Sequence, residues 1–296
     1  MDWGEMEAGS VDFMHVPNSS GTGAPKRQSP PNACDCHMHI YDGARFPPPR
    51  PLSRMQPGAC VADYRLLQRR LGTSRTIVVT PAAYATDNAV TLDAIAALGE
   101  QARGVAVVHP AVTDAELQRL DRAGIRGIRF TQFDPNTATT TMDMIEPLAR
   151  RVQALGWHVQ IHLRGDQIAA DADLLQRLPG TVVFDHLGRL TPPEGLKHPA
   201  FAVIRRMLDK GHTWMKLSGA YFFGSAPGYT KAGTVARAFI AAAPERMVWG
   251  SDWPHPTEAE KPDDALLLDL LSEWAPDERT RHRILAENPE KLYGFE

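Results

Sequence analysis

The chain is short of cysteine, of charge of one sign and of long apolar runs, and each shortage removes a class of protein. Three cysteines, Cys34, Cys36 and Cys60, make neither a disulfide framework nor a zinc cluster, so they are expected as reduced, buried thiols. The formal net charge is only -3 and the cations are scattered, which argues against nucleic acid or an anionic membrane as partner. No run approaches the roughly 20 apolar residues of a membrane-spanning helix. The first residues, with Asp2, Glu5 and Glu7, lack the basic and apolar regions of a secretory signal. A cytoplasmic enzyme acting on a small molecule is the expectation, with a homo-oligomer left open. Also missing is a Gly-x-Gly-x-x-Gly turn after an early strand, which argues against an open dinucleotide-binding sheet.

What is present is a strict alternation of two patterns. Residues 1–30 are rich in Gly, Ser, Pro and Asn without apolar period, and are read as a tail or a strap. From residue 31 to 296, apolar strand-like runs occur at 33–40, 76–80, 104–109, 125–130, 158–163, 182–186, 213–218 and 247–252. Between most of them lie helical patterns, such as 88–100, 114–123, 142–155, 201–210 and 234–242, with apolar residues three and four apart. Eight such units over roughly 260 residues match a single-domain (β/α)8 TIM barrel, whose active site is built at the carboxyl ends of the strands.

Polar residues that interrupt apolar strands near those ends are therefore the candidates. His37 and His39 lie two apart in the first strand, so a pleated strand aims both imidazoles the same way, together with Asp35 and opposite Cys34 and Cys36. His162 shares a face with Gln160, away from Val159, Ile161 and Leu163; His186 ends the sixth strand and Asp252 the eighth. Only convergence at one mouth brings His37, His39, His162, His186 and Asp252 within reach of one small molecule. Arg129 and Lys216 also interrupt strands and either bind a carboxylate at the mouth or form an ion pair inside the barrel. Gln132, Tyr84, Asn88 and Tyr221 are further substrate-contact candidates, although Asn88 could instead cap the following helix.

These residues resemble the amidohydrolase superfamily. The His-x-His of strand one, the segment Phe184-Asp185-His186-Leu187-Gly188 and the segment Val248-Trp249-Gly250-Ser251-Asp252-Trp253-Pro254-His255 carry the likeness. Within it they are most similar to the branch of 2-pyrone-4,6-dicarboxylate lactonase, sugar-acid lactonases and galactarolactone isomerase. The resemblance implies Asp252 as general base, His37, His39 and His186 as orienting or electrophilic groups, and Arg129 as carboxylate binder. It also implies either no cofactor or one divalent metal ion, zinc foremost, held by His37, His39, His162 and Asp252. Two arginines of the pyrone lactonase pattern are absent, in Thr131-Gln132-Phe133-Asp134 and in Ser218-Gly219-Ala220-Tyr221-Phe222, so a hydroxylated or monoanionic lactone is expected over a dianionic one. The expected activity is hydrolysis of such a lactone. Lactone isomerisation, metal-dependent decarboxylation and non-catalytic ligand binding are the alternatives.

Overall fold

The computed structural model describes residues 15–49, 55–134, 138–224, 226 and 228–295. Eight parallel strands follow one another around the sheet in chain order: β1 (Cys34–Met38), β2 (Arg75–Val79), β3 (Ala102–Ala106), β4 (Ile125–Thr131), β5 (His158–His162), β6 (Val182–Phe184), β7 (Thr213–Leu217) and β8 (Met247–Trp249). Just past β8 the chain bonds back to β1, with Asp252 N donating to His37 O at 2.8 Å and His39 N to Trp253 O at 2.8 Å. The expected (β/α)8 barrel is therefore observed, with the first and last strands as neighbours.

Helices cover the outside: α1 (Val61–Leu71), α2 (Ala89–Leu98), α3 (Asp114–Arg122), α4 (Ile145–Gln153), α5 (Gly165–Ala170), α6 (Ala172–Arg177), α7 (Pro199–Asp209), α8 (Thr230–Ala242), α9 (Asp264–Trp274), α10 (Glu278–His282) and α11 (Asn288–Tyr293). Their ends follow local chemistry. The Thr113 hydroxyl accepts from Glu116 N to start α3, and the Asp263 carboxylate accepts from Ala265 N to start α9. The helix expected over 142–155 begins instead as a short 3-10 turn, Met142–Met144, before α4. Among the described residues no helix is long and apolar enough to cross a membrane.

Strand alternation sorts side chains into two cores. Val78, Ile128, Phe130, Val159, Ile161, Phe184, Met215, Leu217 and Trp249 belong to the large core shared with the helices. Cys34, Cys36, Ile77, Val79, Val105, Val183, Trp214 and Val248 form a separate plug inside the barrel. Tyr293 and Phe295 close that plug at the end where strands begin, under the Arg75 and Arg103 guanidiniums at 4.9 and 4.8 Å from the Phe295 ring centre.

The face expected for Asp35, Cys34 and Cys36 is corrected here. The β1–β2 register shifts between Asp35 and Met38, so alternation breaks in mid-strand. Cys34 and Cys36 point into the barrel, while Asp35 accepts from the Tyr64 hydroxyl of α1 at 3.1 Å and from Ser251 Oγ at 2.6 Å. Cys34 and Cys36 are buried free thiols, whereas Cys60 is only half-buried. Of the segment read as a tail, residues 1–14 lie outside the described residues. Residues 15–31 run across α1 and α9: Trp253 Nε1 donates to Pro17 O at 2.8 Å, and Arg70 of α1 donates to Gly23 O at 2.8 Å.

Candidate active site

The backbone past β6 and β8 turns sharply to aim its polar groups. Val183 faces inward and Phe184 outward, so Asp185 is the next inward residue by alternation. His186 joins it only because its φ of +50° reverses the chain, and Asp252 sits at φ +65°. Left-handed backbone at such residues costs on the order of 1 kcal/mol or more each and concentrates at functional sites. Gly250 makes room for the closure: a Cβ there would lie 2.7 Å from His37 Cβ and 2.8 Å from its nitrogen.

Four predicted residues meet around one carboxylate. Asp252 Oδ1 lies 3.5 Å from both His37 Nε2 and His39 Nε2, and Oδ2 lies 3.9 Å from His186 Nε2. The Tyr221 hydroxyl donates directly to Asp252 Oδ2, so Tyr221 contacts the carboxylate it was not expected to touch. Burial alone would raise the Asp252 carboxyl, but the imidazoles of His186, His39 and His37 outweigh it and hold it well below the usual carboxylate range. Burial brings His186 down to about 4, and burial with the Lys216 ammonium keeps His37 neutral at pH 7.

The outer partners of the two imidazoles differ. His39 Nδ1 lies 2.7 Å from the Val79 carbonyl, an acceptor, so Nδ1 carries a proton and Nε2 is the nitrogen turned to the site. His37 Nδ1 lies 3.3 Å from Asp185 Oδ1, an acceptor, and equally 3.3 Å from Lys216 Nζ, a donor, so the two neighbours favour opposite tautomers. The Nε2 atoms of His37 and His39 and a carboxylate oxygen of Asp252 face one another across edges of 3.3, 3.5 and 3.5 Å. A tetrahedral ion with metal–nitrogen bonds of about 2.05 Å has ligand edges of about 3.3 Å, so His37, His39 and Asp252 fit one divalent metal with an open position. His162 stands outside this set. Its Nδ1 lies 3.3 Å from Arg129 Nη2, a cation that opposes a second positive charge, and its Nε2 has no hydrogen-bond partner among the described residues.

Beneath the triad lies a charged layer that strand-end reasoning did not assemble. Asp185, fully buried, takes Arg129 Nε at 2.9 Å and Gln160 Nε2 at 3.0 Å, with Lys216 Nζ 3.8 Å away. Lys216 donates to Gln160 Oε1 at 2.7 Å and to Cys36 O at 2.8 Å, which is the interior ion-pair reading rather than the mouth. Burial lowers Lys216 to about 8. Arg129 is likewise paired inside the barrel, at the floor of the site. Asp185 was legible in principle, being the one carboxylate at an inward position of β6 extended. His255, also not singled out, is buried with Nε2 at 3.1 Å from Asp264 and its ring edge-on to Tyr221 at 5.3 Å.

The remaining candidates are tied into the scaffold. Asn88 Oδ1 accepts from Thr80 Oγ1 and Val107 N, and its Nδ2 donates to Val107 O and Thr86 O, so its amide is fully used, though not as a helix cap. The Tyr84 hydroxyl accepts from Asp42 N at 3.1 Å. Gln132 is buried, with Nε2 unpartnered among the described residues.

Fold and site together define a (β/α)8 enzyme whose His-x-His on the first strand and aspartate after the last can share one metal ion. The chain belongs to the amidohydrolase family, whose model matches residues 34–295. It is 33% identical over 272 residues, 90% of this chain and 91% of the other, to a 4-sulfomuconolactone hydrolase of Rhizobium radiobacter. It is 34% identical over 281 residues, 93% of this chain and 94% of the other, to a D-galactarolactone isomerase of Agrobacterium fabrum. An apo crystal structure from Agrobacterium tumefaciens superposes with a TM-score of 0.85 at 31% identity, covering 94% of this chain and 99% of that one.

Proposed function

We propose that this enzyme opens a small acid-bearing or hydroxylated lactone by adding water to its ring ester, with Asp252 as general base. The observation that carries the reading is the buried Asp252 carboxylate, ionised and aimed by Tyr221 at the point where His37, His39 and His186 converge. The water oxygen bonds to the ester carbonyl carbon while Asp252 takes its proton. The ring C–O bond then breaks, and the proton on Asp252 passes to the departing alkoxide, leaving a hydroxy acid. His186, oriented by Ser218 Oγ at 2.9 Å, is placed to bond the carbonyl oxygen as charge builds there. A divalent ion held by His37, His39 and Asp252, zinc by the nitrogen-rich donor set, would polarise the carbonyl and acidify water.

A panel of γ- and δ-lactones read with a pH indicator tests this. Proton release should appear with a subset of acid-bearing or hydroxylated lactones, and Asp252→Asn should lower kcat by about 10²–10⁴-fold. Undiminished turnover in that variant would remove Asp252 from its role. A product of unchanged mass would point to isomerisation, the reaction in the name of the Agrobacterium fabrum relative. Loss of carbon dioxide would mean decarboxylation, and saturable binding without turnover a binding protein.

A further inference from the structure

We propose that Arg189 is the specificity-determining residue of this site, binding a carboxylate that the substrate carries away from its reacting ester. The inference deepens the lactone reading and rests on it for the identity of the substrate. Arg189 was not among the candidates from sequence, because it follows His186 in a turn rather than ending a strand. That turn, with His186, Leu187 and Arg189 all at positive φ, carries the side chain over the site.

Its guanidinium carbon lies over two phenylalanine rings, 4.1 Å from the centre of Phe133 and 3.7 Å from that of Phe222. The same two rings lean on the catalytic layer. Phe133 stacks on His162 at 5.5 Å, with planes 7° apart, and Phe222 meets His186 edge-on at 5.5 Å. The cation therefore packs on the same two rings that contact His162 and His186.

The two ring contacts also bear on what the cation can bind. Aromatic rings offer a guanidinium no hydrogen-bond oxygen, and its N–H donors lie in its own plane, so its edge is the direction for an anion. An edge of parallel N–H groups matches a carboxylate. Among the described residues the Arg189 side chain has no ion pair, and its buried Nη1 has no hydrogen-bond partner. Arg189 is partly buried and the carboxylates of Asp252 and Glu258 attract it without an ion-pair contact, so an arriving anion would be its first direct charge partner among the described residues. Burial draws Arg189 down to about 10, which leaves it charged at neutral pH.

The other arginines nearby are spoken for. Arg129 is committed to Asp185, and Arg164 holds Asp166 with two contacts of 3.1 Å while donating to Phe133 O. A cavity of about 360 Å³, lined by Phe133, Arg164, Arg189, His198 and Phe222 among others, provides room for an acidic substituent beside the guanidinium.

The test compares tetrahydrofuran-2-carboxylate with its neutral carboxamide by ligand-observed NMR titration, in the wild type, Arg189→Met, Arg189→Gln and Arg189→Lys. The wild type should prefer the carboxylate by about tenfold or more, Met and Gln should lose that preference, and Lys should recover part of it. In turnover, the kcat/KM ratio between γ-butyrolactone-γ-carboxylate and γ-butyrolactone should fall by a similar factor in the Met and Gln variants. A wild type that binds both probes equally overturns the proposal even if no variant folds, and so does a preference that survives in Met and Gln. A protein that shows the expected binding but opens no lactone refutes the lactone reading and leaves Arg189 as an anion site.

Discussion

Arg129→Met should act first on stability and only through it on substrate. The Arg129 and Asp185 side chains are 5% and 0% exposed and their Nε–Oδ2 contact is 2.9 Å, so losing the cation strands a buried carboxylate. Breaking one side of such a pair costs about 3–5 kcal/mol. Lys216 at 3.8 Å and His37 at 3.3 Å still face Asp185 and favour the lower end of that range. At about 2 °C per kcal/mol for a chain of this size, the melting midpoint should fall by roughly 6 °C. Differential scanning calorimetry on Arg129→Met, Asp185→Asn and the double variant measures it. The double variant should lose less than the sum of the single losses, because the stranded charge is gone. An Arg129→Met protein that melts within about 1 °C of wild type and suffers only a raised KM would refute this reasoning, and would make Arg129 a free substrate-binding cation.

His158 is buried below the charged layer, and burial lowers it to about 3. It stays neutral in the folded chain while the unfolded form titrates near 6.5, so the unfolded state binds more protons between these values. Stability is then full above pH 6.5 and falls by about 1.4 kcal/mol per pH unit below it; urea melts from pH 6.5 to 4.5 should show a slope smaller by that amount in His158→Gln. Equal slopes would contradict a buried neutral His158. Protein prepared without chelators should carry about one equivalent of divalent metal, and His39→Ala should lose it because three ligands do not tolerate loss of one. Metal retained in that variant would contradict the donor triangle.

The barrel was legible because eight apolar runs end in polar residues and alternate with helical patterns, a signal that needs no tertiary information. The meeting of His37, His39, His186 and Asp252 followed from strand-end position. What the pattern hid was backbone irregularity: the register shift in β1 put Cys36 and His37 both inside and sent Asp35 outward, against strict alternation. His186 reaches the site through a left-handed turn that also delivers Arg189, and periodicity carries no trace of such a turn. Lys216 and Arg129 looked alike in sequence as cations among apolar residues. Only the three-dimensional position of Asp185 decides that both serve the interior. In α9, leucines at 266, 267, 268, 270 and 271 blur the 3.6-residue stripe that marks the other helices.

The central claim is that water attacks the acyl carbon of a lactone at Asp252. Opening γ-butyrolactone-γ-carboxylate in water enriched in heavy oxygen, with the product analysed by tandem mass spectrometry, tests it most directly. The account predicts a hydroxy acid heavier by one labelled water, with the label in the newly formed carboxyl group and absent from the hydroxyl. A product of unchanged mass, or label in the hydroxyl, would contradict it.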